Sequence, residues 1–355
     1  MVELSLDTLR RSILQRQGLI QPFAEPLDAV RAMVAVQTQY AASLPVAVAV
    51  RTRKVKAGWD DQALAVGGSL IKSWSLRHTL HAHTVEDYQL VVGTLGDHFY
   101  PNYLRFMSRR KSLDWVQAME EQILTELAEK PLSRKELHDR LPELKTIDMV
   151  GWGLDVMGLA FRRRVCIIGR GADQKFCHLP ECPSNPQYGE LLRRYLLNYG
   201  PATKADFAHW TGFKAPQVQQ AFKELGEIGK PIKVGHKPNL YFMIDGISDD
   251  DIPEVPPIRL LAKFDPLILS HRDKLLFLEP DRKASVFRKA GQVEAVVLGR
   301  GIGIATWRME RKSDRMVYSV EPFRTLGKME TTRLEKEFAH LTKSLGAKEF
   351  ETYFV

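Results

Sequence analysis

The chain has 355 residues, of which 44% are hydrophobic and 26% charged, and its net charge is +8. This length suits two or more domains, and the composition excludes a disordered, collagen-like or wholly coiled-coil chain. The longest apolar run, residues 44–50, is far shorter than the ~20 residues that cross a bilayer, and the first residues lack the apolar stretch of a signal peptide. We therefore expect a cytoplasmic, nucleoid-associated protein with no membrane partner.

The positive charge is concentrated at the front of the chain. Residues 1–113 contain 14 Lys and Arg against 9 Asp and Glu, an excess of +5. Such a balance favours a polyanionic partner, with nucleic acid the first candidate. The cysteines Cys166, Cys177 and Cys182 form no CxxC pair and are odd in number, which argues against a zinc knuckle and a disulfide scaffold.

The first segment, residues 1–113, contains three helical patterns followed by two strands. The hydrophobic spacing predicts helices over 6–19, 26–37 and 43–54, and a strand pair over 71–84. Three helices followed by a β-hairpin form a winged helix, whose third helix usually enters the DNA major groove.

The second segment, residues 114–187, repeats this order with a different sequence. Helices are predicted over 115–130 and 146–164, and Ser133 with Glu136 forms a capping box that opens a short helix between them. The hairpin at 165–180 turns through GRGADQ.

The third segment, residues 188–247, shows the pattern most clearly. A helix is predicted over 188–200, Thr203 caps a second helix that ends near Gly212, and a third helix covers 215–228. The hairpin at 230–244 turns through the basic sequence GHKPN. Tandem winged helices point to nucleic acid, although the same fold also serves protein interaction.

An acidic, proline-rich linker at 248–257 precedes a β-rich C-terminal domain, residues 258–355. The segments IRLLAKFDPLIL, LLFLEP, AVVLG and GIGIATWRME indicate strands; residues 334–345 place Leu334, Phe338, Leu341 and Leu345 on one helical face, and KEFETYFV reads as a closing strand. The glycines of GRGIGIATW predict a tight hairpin, since a phosphate loop would need a Lys-Ser/Thr pair and a following helix. The fold class is therefore α+β, with three tandem winged-helix motifs and a C-terminal β domain.

Five separated segments, in chain order, resemble the winged-helix DNA glycosylases of the AlkZ/YcaQ kind. They are MVAVQTQYAASLPVAVAVR, SWSLRHTLHAHTVED, GPATKADFAHWTGF, LLAKFDPLILSHRDK and GIGIATWR. The resemblance implies a C-shaped molecule with a β-barrel-like C-terminal domain. It also implies action on double-stranded DNA that contains alkylated purines, with unhooking of interstrand cross-links made by azinomycin-type agents. We expect a monomer without cofactor or metal.

That family divides on a short motif, which here is Gln37-Thr38-Gln39. The two-glutamine form resembles the azinomycin-resistance enzymes, whereas the other branch carries Asp in the last place, and the resemblance makes Gln37 and Gln39 the catalytic candidates. An N7-alkylated guanine is cationic and leaves as a neutral base, so the remaining task is to place a water and stabilise an oxocarbenium-like sugar. A glutamine amide both accepts and donates hydrogen bonds, which suits it to hold that water.

Geometry sets a condition on this assignment. Residues two apart point in nearly opposite directions on a helix but share a side in extended backbone. The second helix must therefore end near Gln37 if both amides are to reach one site. The alternative is that both glutamines are solvated residues at a helix end.

Candidate DNA contacts are basic residues in the strand pair, the third helices and the wings. They are Arg51, Arg77, His81, Arg162, Arg163, Arg164 and Lys237. The alternatives are a satisfied strand position for the histidine and a complement to the helix dipole for the arginine run. His78, His81 and His83 lack the spacing of a zinc site. Asp265 and Asp273 are read as turn residues in preference to catalytic carboxylates.

The leading hypothesis is a monofunctional DNA glycosylase. Its rivals are a DNA-binding regulator without enzymatic activity and a resistance protein that shields DNA without turnover. The third-helix candidate SLPVAVAVR is almost wholly apolar, whereas reading base edges requires Arg, Asn or Gln on that surface. A regulator is also usually a symmetric dimer, while three unlike copies in one chain already supply asymmetry.

Overall fold

The computed structural model describes residues 2–147, 151, 153–181 and 184–355. It is a mixed α+β structure with three separate sheets. Within these ranges, no helix has both the length and the apolar character required to span a membrane.

The first segment contains the three expected helices and the expected strand pair, but the second helix ends at Met33 and the third at Ala49, earlier than predicted. It also contains a short helix and a long helix that the sequence patterns did not reveal. Its elements are β1 (Glu3–Leu4), α1 (Leu6–Arg16), α2 (Pro26–Met33), β2 (Val36–Gln37), α3 (Ser43–Ala49), α4 (Trp59–Ala63), β3 (Leu70–Trp74), β4 (Leu80–Thr84) and α5 (Val85–Met107). Helix α5 was missed because Gly93, Gly96 and Pro101 weaken its helical pattern. Packing compensates: a Cβ at Gly96 would lie 2.1 Å from the Phe161 carbonyl oxygen, so this glycine lets α5 approach the second segment closely.

The second segment contains α6 (Leu113–Glu129), α7 (Arg134–Arg140), α8 (Met157–Phe161), β5 (Val165–Ile168) and β6 (Lys175–His178). The capping box of Ser133 and Glu136 is confirmed. A third helix was predicted over residues 146–164. Among the described residues of this range only α8, about one and a half turns, is α-helical, and positions 148–150 and 152 lie outside the described residues.

The third segment matches its sequence prediction closely. Its elements are α9 (Tyr188–Tyr199), α10 (Lys204–Thr211), α11 (Ala215–Leu225), β7 (Lys230–Val234) and β8 (Tyr241–Met243). Thr203 caps α10 as predicted, and Gly212 ends it in the left-handed conformation with a φ of 80°.

The C-terminal segment contains β9 (Ile258–Leu261), α12 (Pro266–Ser270), α13 (Lys283–Val286), β10 (Ala295–Gly299), β11 (Ile302–Lys312), β12 (Arg315–Pro322), α14 (Lys328–Ser344) and β13 (Glu349–Phe354). The expectation of a β-barrel-like domain is corrected: the strands form an open sheet in the order β13-β12-β11-β10-β9, with β9 and β13 as its edges. One face is covered by α14 through Leu334, Phe338 and Leu341, and this helix buries the apolar surface that closure would otherwise bury. The sequence FDPLIL is also helical, because the Asp265 side chain caps α12 ahead of Pro266.

The hairpins of the first two segments belong to one sheet. Its strand order is β2-β4-β3-β5-β6, and the two hairpins meet where Lys72 pairs with Ile167. The N-terminal strand β1 likewise pairs with β7 of the third segment. The boundaries at 113, 187 and 247 and the count of three winged helices stay predictions, since sheets and core clusters cross these boundaries.

Candidate functional site

The chain leaves α2 before the glutamine pair and continues as an edge strand. Val34 ends α2 in the left-handed conformation, with a φ of 60°. Strand β2 then pairs antiparallel with β4, and Gln37 lies opposite His81. The backbone is therefore extended at Gln37, which is the condition for Gln37 and Gln39 to meet.

The two glutamine side chains are hydrogen-bonded to each other. Gln37 Nε2 donates to Gln39 Oε1 at 2.8 Å. Gln37 is 6% exposed, whereas Gln39 is exposed. This bond leaves the Gln37 oxygen as an acceptor and the Gln39 NH₂ group as a donor for other partners. Between them, the N–H of Thr38 donates to the Leu80 carbonyl and fixes the segment to β4.

A cleft of about 720 Å³ lies beside Gln39. One wall is formed by Trp74 and Leu80 of the β3–β4 hairpin. The other is formed by residues 133–135 at the start of α7 and by Phe176 of β6. The first two segments thus bring a polar amide and an aromatic ring to the same cleft.

The histidine cluster lies behind this site. The Ser75 hydroxyl is 3.1 Å from His81 Nδ1 and 2.9 Å from His83 Nε2, and both rings are almost fully buried. Burial holds the pKa of His81 well below its usual value and lowers the pKa of His83 to about 4, so both rings are neutral at pH 7. The described part of the chain contains no group of three or more His, Cys, Asp and Glu side chains able to hold a metal ion. The expected DNA contact of His81 is corrected: its ring is inaccessible and lies opposite Gln37 in the strand pair.

The structure also brings a lysine near the site that the sequence did not indicate. Lys72 lies on β3, opposite Ala82 and Ile167, and is 1% exposed. Burial lowers its pKa to about 8. The strand register places Lys72 on the sheet face opposite to that of Gln37 and His81. This is the face that carries Trp74 and Leu80 of the cleft, but the buried Lys72 side chain does not line the cleft itself.

Arg51 and Asp265 form a fully buried ion pair between the first and last segments. The guanidinium donates twice to the carboxylate, at 2.6 and 2.9 Å. Asp265 also accepts the backbone N–H groups of Ala262 and Leu267. The DNA contact expected for Arg51 is therefore wrong, because its side chain has no exposed surface. Both sets of contacts are structural, but Asp265 caps helix α12 where a turn was predicted.

The arginine run after α8 is divided among acidic partners. Arg162 lies 2.8 Å from Glu120, and Arg164 lies 3.6 Å from Glu181. Arg163 is 6% exposed and lies 3.4 Å from Asp97, so its expected DNA contact is corrected. DNA contact by Arg162 and Arg164 stays a prediction.

Two further candidates have structural partners. Arg77 donates to the Trp210 carbonyl at 2.7 Å and joins the β3–β4 hairpin to α10. Lys237 donates to Asp273 at 2.8 Å, and Asp273 also caps Leu275, as its turn role predicts. DNA contact by Arg77 and Lys237 stays a prediction.

Sequence reasoning missed two aromatic residues beside the glutamines. Trp74 lines the cleft, and Tyr40 lines a second cavity of about 320 Å³ against the C-terminal sheet. The Tyr40 ring lies 5.4 Å from the Lys263 ammonium group. The available signal was position alone, since Tyr40 directly follows the motif and Trp74 ends the paired strand.

Comparison with known proteins gives consistent results. A sequence model of the family described as DNA glycosylase AlkZ-like matches residues 30–343. An interstrand DNA cross-link repair glycosylase from Streptomyces sahachiroi is 26% identical over 361 residues, covering 94% of each chain. The solved structure of the Streptomyces sahachiroi DNA glycosylase AlkZ covers 100% of both chains with a TM-score of 0.80 at 22% identity, so the fold is shared.

Proposed function

The chain belongs to the AlkZ-like DNA glycosylase family, and from this premise we propose that it hydrolyses the N-glycosidic bond of alkylated purines in double-stranded DNA. The lesions are of the N7-alkylguanine type and include interstrand cross-links. The enzyme acts as a monomer and stops after base loss.

The observation that carries the proposal is the hydrogen-bonded pair of Gln37 and Gln39 beside an open cleft. The free Gln37 oxygen accepts a hydrogen bond from a water, and the Gln39 NH₂ group donates a hydrogen bond to the water oxygen or to a sugar or phosphate oxygen. These two contacts hold the water against the anomeric carbon, so the entropic cost of bringing water and sugar together is met before the reaction.

The chemistry matches the charges near the site. An N7-alkylguanine is already cationic, so its departure as a neutral base needs no strong acid. The nearby histidines are neutral because burial lowers their pKa values, and they add no positive charge next to the developing oxocarbenium ion. Cleavage of the N-glycosidic bond therefore requires only a positioned water, which Gln37 and Gln39 supply.

Cross-link processing is supported by the shape of the site. A base tethered to the opposite strand cannot rotate fully out of the duplex, so an enzyme for such lesions cannot rely on an enclosed base pocket. The cleft beside Gln39 is large and open on one side. The Streptomyces sahachiroi relative, named for interstrand cross-link repair, supports the same assignment.

The regulator alternative is weakened because the third helix of the first segment and the third helix of the second segment are both buried. Every residue of α3 except Pro45 is buried, and every residue of α8 is buried. Buried helices cannot present side chains to the edges of bases in a major groove. Helix α11 alone of the three is exposed along part of its length.

The deciding experiment is incubation of the purified protein with a duplex that contains N7-methylguanine. We expect free base and an abasic site, measured by chromatography, with multiple turnovers or at least stoichiometric release. A protein that binds this duplex tightly but releases no base would be a shielding protein, and one that prefers a single operator sequence would be a regulator. A duplex with a defined N7-linked cross-link tests unhooking separately.

A further inference from the structure

A second concave site lies at the tip of the β3–β4 hairpin. It is a pocket of about 330 Å³, a size within the roughly 300–1,000 Å³ range of ligand pockets. Its walls are predominantly apolar and aromatic, and they come from the hairpin, α5 and the region of α8. The lining residues used below are His78, Thr79, Asn102, Tyr103, Phe106 and Phe161.

The pocket adjoins the glutamine cleft. Thr79 lines the pocket and the next residue, Leu80, lines the cleft. The hairpin tip between them has an unusual backbone, since Arg77 and His78 both have positive φ values, of 51° and 62°. Residues other than glycine rarely adopt a positive φ, and those that do are concentrated at functional sites.

Four basic residues lie in the last turn of α5 and the four residues that follow it, and α5 itself supplies Asn102, Tyr103 and Phe106 to the pocket wall. The four basic residues are Arg105, Arg109, Arg110 and Lys111, and in the ranges that the structure describes none of them forms an ion pair with an acid. The Arg110 guanidinium lies 3.9 Å from the centre of the Phe106 ring, which places its charge at the pocket wall. The arginines after α8, by contrast, all have acidic partners.

We propose that this pocket binds an unstacked nucleobase of the DNA strand that flanks the lesion, while the four basic residues bind the neighbouring phosphates. Aromatic walls accept any base by stacking, and cations beside them bind the backbone, which is the combination that proteins use for single-stranded nucleotides. Unstacking a neighbour gives access to a lesion that is itself tethered and cannot be flipped. The inference rests on the proposed function only in taking DNA as the ligand.

The first test addresses the phosphates. Affinity for an undamaged duplex is measured by fluorescence anisotropy over a range of salt concentrations for the double variant R109Q/R110Q. The matched control is R333Q/K336Q, which removes the same charge from α14. The slope of log K against log salt should become shallower by about 1.8 in R109Q/R110Q, from about 0.9 per lost phosphate contact. Equal slopes in the two double variants would overturn the phosphate assignment.

The second test addresses the base. Duplexes carry 2-aminopurine at each position flanking the lesion site, and its fluorescence reports unstacking. N102W fills the pocket, and F106L removes the aromatic wall while keeping an apolar side chain; thermal melting confirms that each variant is folded. With the wild-type protein we expect a fluorescence change at one specific position. Both variants should lose this change and should bind the duplex about tenfold more weakly than the wild type.

Wild-type fluorescence and affinity in both folded variants would overturn the proposal, as would the absence of any signal with the wild-type protein. These measurements involve no turnover. If the wild-type protein binds and unstacks DNA but releases no base, the proposed function fails while this inference stands.

Discussion

Replacing either glutamine by alanine is the sharpest test of the mechanism. The 2.8 Å bond from Gln37 Nε2 to Gln39 Oε1 makes each amide the orienting partner of the other. Loss of Gln37 removes the water acceptor, and loss of Gln39 removes the donor and frees the Gln37 side chain. Each change should therefore slow single-turnover excision of N7-methylguanine by about 10²–10⁴, the range of positioned polar groups.

The pattern across variants carries more information than one rate. The double variant should be only slightly slower than either single one, because a water that is misplaced once is already unproductive. Affinity for the duplex should change little, since both amides act on the transition state. Gln39→Asp should keep part of the activity on small N7-alkylguanines, since a carboxylate also accepts a hydrogen bond from water.

The matched control is Gln89→Ala, which removes an exposed glutamine from α5 and should leave excision unchanged. Rates are measured by rapid quench with enzyme in excess, and circular dichroism verifies the fold. If Gln37→Ala and Gln39→Ala both excise at the wild-type rate while a carboxylate substitution abolishes turnover, the water assignment is refuted and the active site lies elsewhere.

Three further predictions follow from buried groups. Asp265→Asn leaves the Arg51 charge uncompensated and should lower the free energy of unfolding by about 3–5 kcal/mol in urea titrations, with excision per folded molecule unchanged. Burial lowers the pKa of His83 from 6.5 to about 4, so the unfolded chain binds a proton at this residue more readily than the folded chain does. The free energy of unfolding is therefore unaffected by His83 above pH ~6.5 and decreases as the pH falls toward 4. The decrease should be about 2 kcal/mol at pH 5, and thermal melts of His83→Gln should show a weaker pH dependence than the wild type. Borohydride trapping on lesion-bearing DNA should give no covalent adduct, because Lys72 is buried on the face opposite to Gln37, and a strong adduct lost in Lys72→Arg would contradict hydrolysis by water.

Local structure was predictable from the sequence wherever its signals are carried by neighbouring residues. Thr203 and Gly212 bound α10 as predicted, and Ser133 with Glu136 starts α7, because caps and left-handed glycines act within one helical turn. The family could also be predicted from the sequence, since the segment with Gln37-Thr38-Gln39 and four other segments resemble that family in the same order along the chain.

The accessibility of the charged groups, by contrast, depends on contacts between residues that are far apart along the chain. Arg51, His81 and Arg163 have the sequence character of DNA contacts, yet all three are buried, and the two arginines pair with acids distant along the chain. Asp265 lies 214 positions from Arg51, and no local pattern encodes that pairing. The basic end of α5, which has no acidic partner among the described residues, was hidden for the same reason. Whether an arginine is neutralised depends on which acids the fold brings to it, and that is set by packing across the whole molecule.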